Sequence, residues 1–83
     1  MATIDEVKMV LGDALQLGER AQRLEANTRL LGNLPELDSM AVVTVLTSLE
    51  EHFGFIINDD EISAETFATL ASLSEFVGQK LRS

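Results

Sequence analysis

The chain has 83 residues, fourteen of them acidic and six basic for a net charge of −8, and it has no cysteine. That length supports one domain around one core, burying about 60% of the unfolded surface, and the missing cysteines exclude a disulfide framework, a thiolate nucleophile and a Cys-ligated metal. The acidity argues against nucleic acid and anionic membrane as partners and favours basic protein surfaces. No apolar run approaches the roughly 18 residues of a membrane span, and the N-terminus lacks the zones of a signal peptide, so a cytoplasmic protein acting as a monomer is expected.

Thr3-Ile4-Asp5-Glu6 has the spacing of a capping box, and Ile4, Val7, Leu11 and Leu15 then recur on one helical stripe. The pattern predicts a helix over residues 4–16, with Gly18 as its stop. From Gly18 to Leu37 the periodicity weakens. Asn27, Gly32, Asn33 and Pro35 punctuate a segment that still carries Leu24, Leu30, Leu31, Leu34 and Leu37. A connection of that length must contain a helical turn or be pinned to the core by its leucines.

Asp38 to Phe53 is the clearest helix. Val42, Val45, Leu46, Leu49 and Phe53 fall within a sector of roughly 100°, which defines the buried face. Met40, Thr44, Thr47 and Glu51 lie opposite, with Val43 beside them, so two apolar residues are predicted near the surface just beyond Ser39. Phe55-Ile56-Ile57 then reads as a buried connector. Asn58 and Glu61 repeat the capping-box spacing at the start of a short turn, where Asp59, Asp60 and Glu61 are explained by the helix dipole without a bound cation. Residues 64–68 form another short helical piece carrying Phe67, and Thr69 opens a last helix to about Lys80. The whole predicts an all-α fold, a small four-helix bundle of three longer helices plus a short third one, in a single domain over residues 1–83.

Ser39 is the candidate for chemistry. A nucleophilic serine needs a general base and an oxyanion hole, but the one histidine, His52, sits thirteen residues along the same helix, roughly 20 Å away at 1.5 Å per residue. Asp38, solvated, is too weak a base with a pKa of about 4, and no second His or Cys makes a metal site with His52. Two roles remain for the pair. A plain Asp or Ser helix cap is common and stabilises by about 0.5–2 kcal/mol. A covalent group on Ser39, attached by another enzyme, would sit against the positive end of the helix.

Residues 34–57 resemble the modification site and second helix of acyl carrier proteins. The resemblance rests on Asp38-Ser39-Met40, on Leu49-Glu50-Glu51-His52-Phe53, on Ile56-Ile57 and on Asp59-Asp60-Glu61, in that order. Val7 to Gly12 and Phe67 to Leu73 extend it to the first and last helices. It implies a carrier of the acyl-carrier-type bundle, not itself a catalyst. A phosphopantetheinyl transferase would convert Ser39 from coenzyme A, leaving a covalent 4'-phosphopantetheine that holds acyl groups as thioesters. Asp38 would cap the helix and assist modification. Met40, Val43, Thr47, Glu50 and Glu51 would contact partners, namely acyl-loading and acyl-transferring enzymes with basic docking surfaces.

The wording also departs from carriers of fatty-acid synthesis. Leu34-Pro35-Glu36-Leu37 stands where those have Leu-Gly-Ala-Asp or Leu-Gly-Met-Asp, and Thr44 and Thr47 occupy a helix face that is often more acidic. Leu37-Asp38-Ser39-Met40 is similar to D-alanyl carriers, and Leu34 to Val43 is similar to specialised bacterial carriers of exopolysaccharide and exosortase systems. A dedicated pathway is therefore expected, with a D-alanyl or aminoacyl carrier and an unmodified helical interaction module as the alternatives.

Overall fold

In a computed structural model, which describes residues 3–32, 34 and 37–82, three α-helices and three 3-10 segments surround one core. Helix α1 spans Thr3–Ala14, α2 spans Ser39–Phe53 and α3 spans Leu70–Arg82. The 3-10 segments are Gly18–Arg23, Asp59–Glu61 and Ala64–Phe67, the last being the short third helix of the expected bundle.

The apolar stripes of the three helices meet. Val7 and Leu11 of α1, Val45 and Leu49 of α2, and Leu70, Leu73 and Val77 of α3 are almost completely withdrawn from water, with Phe67 wedged among them. Helix α1 packs against both α2 and α3, so it is the spine of the bundle. Gly12 permits a close approach there, because a Cβ at that position would stand 2.7 Å from Cβ of Ala21 in the first 3-10 segment.

Helix α1 stops differently from expectation. Gln16, not Gly18, takes the left-handed conformation, with φ 55°, and the Leu17 N–H reaches the Gly12 carbonyl at 2.9 Å in a Schellman-type closure. Gly18 instead begins the first 3-10 segment, with φ 60°. Thr3 is the first residue of α1 rather than its cap, so the helix starts one residue earlier than predicted.

The long connection between α1 and α2 is both coiled and pinned. Leu24, Leu30, Leu34 and Leu37 are buried, while Leu31 is exposed. Its middle lies against the start of α3, where Ala71 N–H donates to Ala26 O at 2.8 Å and Leu70 N–H to Thr28 O at 3.0 Å. In return Leu30 and Leu31 N–H donate to Ala68 O and Phe67 O, both at 3.1 Å. Those bonds fill amide donors that the first turn of α3 would otherwise leave open.

One further expectation on apolar residues needs correction. Ile56 is 75% exposed, although Phe55 and Ile57 on either side pack partly against the core. A three-residue apolar run cannot bury every member when alternate side chains point opposite ways. Ile56 is the one left facing out. Asn33, Pro35 and Glu36, on which the loop's expected distinctiveness rests, lie outside the described residues.

Candidate functional site

Helix α2 begins where a buried leucine ends the preceding loop. Leu37 is anchored in the core, and its N–H donates to Leu34 O at 3.0 Å. The next residue, Asp38, is extended at φ −103°, ψ −174°, and its Oδ1 accepts from the Ala41 N–H at 2.8 Å. This is an N-cap bond of the strong, charge-assisted kind. The residues alone allow either Asp38 or Ser39 as the cap and the resemblance implies Asp38, which is the residue that makes the capping bond.

Ser39 is consequently the first residue of α2, exposed, and among the described residues its hydroxyl has no hydrogen-bond partner. Its Oγ stands at the positive pole of a 15-residue helix, beside first-turn N–H groups that no intrahelical carbonyl can reach. His52, at the far end of the same helix, approaches Glu6 of α1 at 3.8 Å and forms an edge-to-face contact with Phe53. It has no geometric relation to Ser39. The site can therefore display a covalent substituent but cannot activate its own hydroxyl.

The outward residues run away from Ser39 down one side of α2. Met40 is 75% exposed and Val43 60%, and Thr44, Thr47 and Glu51 are exposed beyond them. Thr44 turns its hydroxyl back to the Met40 carbonyl at 3.3 Å. Glu50 is less free than its position in the sequence suggests. It is partly buried, and its Oε2 accepts from the Ile57 N–H at 2.7 Å, tying the end of α2 to the connector. Gly54 makes that reversal possible by ending α2 in the left-handed region at φ 78°, with its N–H on Glu50 O.

The acidic turn after the connector is held from inside the fold. Glu61 Oε2 accepts from the Asn58 N–H at 2.8 Å, and Lys80 of α3 grips both carboxylate oxygens at 2.8 and 3.0 Å. The Lys80 hydrogen bond, then the Asn58 amide, hold the Glu61 carboxyl below its ordinary value. Glu61 is thus a bracket between the connector and α3. The side chain of Asp59, weighed with Asp60 and Glu61 as a cation ligand, lies outside the described residues.

Comparison with known proteins bears on the same segment. A family model described as a phosphopantetheine attachment site matches residues 5–77, which include all of α2 and its cap. Among solved structures, the solution NMR structure of a holo acyl carrier protein from Nitrosomonas europaea is similar throughout: it is 58% identical, the match covers 100% of each chain, and the TM-score is 0.93.

Proposed function

The chain belongs to the phosphopantetheine-binding acyl carrier protein family, whose members are carriers and not enzymes, and we propose that Ser39 is the residue bearing its covalent 4'-phosphopantetheine. The observation that carries this assignment is the separation of duties at the start of α2. Asp38 supplies the capping hydrogen bond, which leaves the Ser39 hydroxyl exposed and uncommitted.

The residues present fit the group. A phosphodiester on Ser39 Oγ would meet the open first-turn amides and the positive helix pole, which favour an anion by about 0.3–1 kcal/mol at an exposed position. When bound, the group supplies the terminal thiol on which acyl groups ride as thioesters, a function that no side chain of this cysteine-free chain can provide. Ser39 holds the link and Asp38 orients it. With Oδ1 on the Ala41 amide, the second oxygen of Asp38 is left to assist a phosphopantetheinyl transferase or the magnesium it uses.

Partner enzymes approach along the outward side of α2. Met40, Val43 and Thr47 line the side that leads away from Ser39, while Glu51 and the oxygen of Glu50 not spent on Ile57 are placed to meet basic groups at the far end. The wording of Leu34 to Val43 supports service in a dedicated pathway of the exopolysaccharide and exosortase kind rather than in ordinary fatty-acid synthesis. On this reading residues 1–83 are one carrier domain, acting as a monomer in the cytoplasm.

Incubating the folded chain with a phosphopantetheinyl transferase and coenzyme A should add one phosphopantetheine to the intact mass, and Ser39→Ala should abolish the addition. Failure of several such transferases to modify the folded wild-type chain would sink the assignment.

A further inference from the structure

Oxidisable side chains are scarce in this molecule, and one of them adjoins the proposed attachment point. The chain has no Cys, Trp or Tyr, so a two-electron oxidant meets the thioethers of Met1, Met9 and Met40 and the imidazole of His52. Met1 lies outside the described residues. Met9 is 51% exposed on α1, where it forms one wall of a groove against the first 3-10 segment with Gly12, Ala21 and Gln22. Met40 is 75% exposed in the first turn of α2, directly after Ser39. The Thr44 hydroxyl bonds to the Met40 carbonyl and leaves the thioether standing in water.

Oxidation there has unequal consequences for the free and the engaged chain. In the free chain a sulfoxide at so exposed a position stays hydrated. Helix α2 is held to the core by Val45 and Leu49, with Val42 and Leu46 packed beside them, so its fold does not depend on Met40. Against an enzyme the flexible apolar thioether has become a polar, chiral group. Covering its oxygen without a donor forfeits hydration that nothing replaces. A modification shifts a binding equilibrium only by its difference between the two states, and here that difference lies on the bound side.

We infer that Met40 is a reversible oxidation site, oxidised by peroxides ahead of Met9, and that its sulfoxide weakens the hold of the enzymes that act at Ser39. The inference rests on Ser39 being the attachment point and on Met40 contacting those enzymes; it adds a modification and its effect. The sulfur lone pair attacks one oxygen of hydrogen peroxide, and an S–O bond forms as the O–O bond breaks. The departing hydroxide takes the proton of the transferred hydroxyl and leaves as water, so sulfur has given up two electrons and the peroxide has accepted them. Methionine sulfoxide reductases reverse the step, two thiols outside this chain being oxidised to a disulfide while the oxygen leaves as water.

The test uses the full chain in its apo form, which carries no thiol, treated with hydrogen peroxide, cleared of it with catalase and mapped by peptide mass spectrometry. Met40 should gain one oxygen faster than Met9. The KM of a phosphopantetheinyl transferase for the treated chain, with coenzyme A, should rise about tenfold, the size expected of an interface anchor. The circular dichroism spectrum should not change, and methionine sulfoxide reductases with dithiothreitol should restore KM. Each variant is compared with its own untreated form: Met40→Leu should be indifferent to peroxide, and Met9→Leu should respond as wild type does. Complete oxidation of Met40 that leaves KM within about twofold overturns the inference. So does a loss that persists in Met40→Leu or survives the reductases, and so does oxidation of Met9 ahead of Met40. Untreated wild-type chain that takes up no phosphopantetheine is a different failure. It removes the attachment reading, and this inference falls with it.

Discussion

The starts of α2 and α3 pose the same local problem and solve it oppositely. Each has open first-turn amides and a hydroxyl residue close by. At α3 the first-turn amides and the hydroxyl are taken up. Thr69 and Ser72 exchange bonds, with Ser72 N–H on Thr69 Oγ1 at 3.1 Å and Thr69 N–H on Ser72 Oγ at 3.0 Å. The Ser72 hydroxyl also lies within donating distance of the Thr66 and Thr69 carbonyls, and loop carbonyls take the Leu70 and Ala71 amides. At α2 one carboxylate makes one bond and the serine is left outside. A saturated helix start stabilises the fold, and a half-filled one presents a group to other molecules.

Exchanging alanine for the two serines separates these roles with the largest effect. Ser39→Ala should abolish phosphopantetheine incorporation while changing unfolding free energy by less than about 0.5 kcal/mol, as expected for an exposed residue without partners. Ser72→Ala should do the reverse, costing about 1–3 kcal/mol in urea melts through amide and carbonyl groups left unpaired, with incorporation at the wild-type rate.

Asp38 sharpens the contrast from the α2 side. Asp38→Ala should lose about 1 kcal/mol of cap energy, whereas Asp38→Asn keeps a good cap and should melt near wild type. If the carboxylate assists modification, kcat/KM for the transferase falls in both variants. An Asn variant modified at the wild-type rate would confine Asp38 to capping.

Glu50 extends the comparison to the far end of α2. Removing its carboxylate with Glu50→Ala strands the partly buried Ile57 amide and should cost about 1–2 kcal/mol in thermal or urea melts, while Glu50→Gln keeps an acceptor and should lose far less. A stability-neutral Glu50→Ala would mean that the carboxylate serves partners alone.

Acid should loosen the bracket on the connector. Because Lys80 and the Asn58 amide lower the Glu61 pKa in the folded chain, the contribution of this group is fully present above its ordinary value of 4.5 and is lost as pH falls through the lower folded value. Urea melts taken downward from pH 4.5 should therefore show a smaller loss of stability for Glu61→Gln than for wild type. The smallest effect is expected at Gln16, whose φ of 55° strains a residue with a Cβ. Gln16→Gly should raise stability by about 0.5 kcal/mol, the relief being partly offset by the extra freedom of glycine in the unfolded chain.

What the sequence made legible follows from local physics. The span and inward face of α2, the short helical piece carrying Phe67 and the acidic turn were readable because a 3.6-residue period and capping chemistry act within a few positions. The union of residues 26–31 with 67–71 was not, since it joins backbone groups some 40 residues apart whose identities leave no pattern. Ile56 was misplaced for a related reason. Its composition matched its buried neighbours, and only the path of the chain after Gly54 turns it outward. At the candidate site, capping chemistry alone allows Asp38 or Ser39, the family resemblance favours Asp38, and the bond from the Ala41 N–H is made to Asp38.

The central claim is that the half-filled start of α2, and no other hydroxyl, is where the arm is joined. Peptide mapping by mass spectrometry after treatment with a phosphopantetheinyl transferase and coenzyme A tests it most directly. A single phosphopantetheine, located by fragmentation on Ser39, is expected. Its appearance on any other residue, or on a Ser39→Ala chain, would rule out Ser39 as the attachment point.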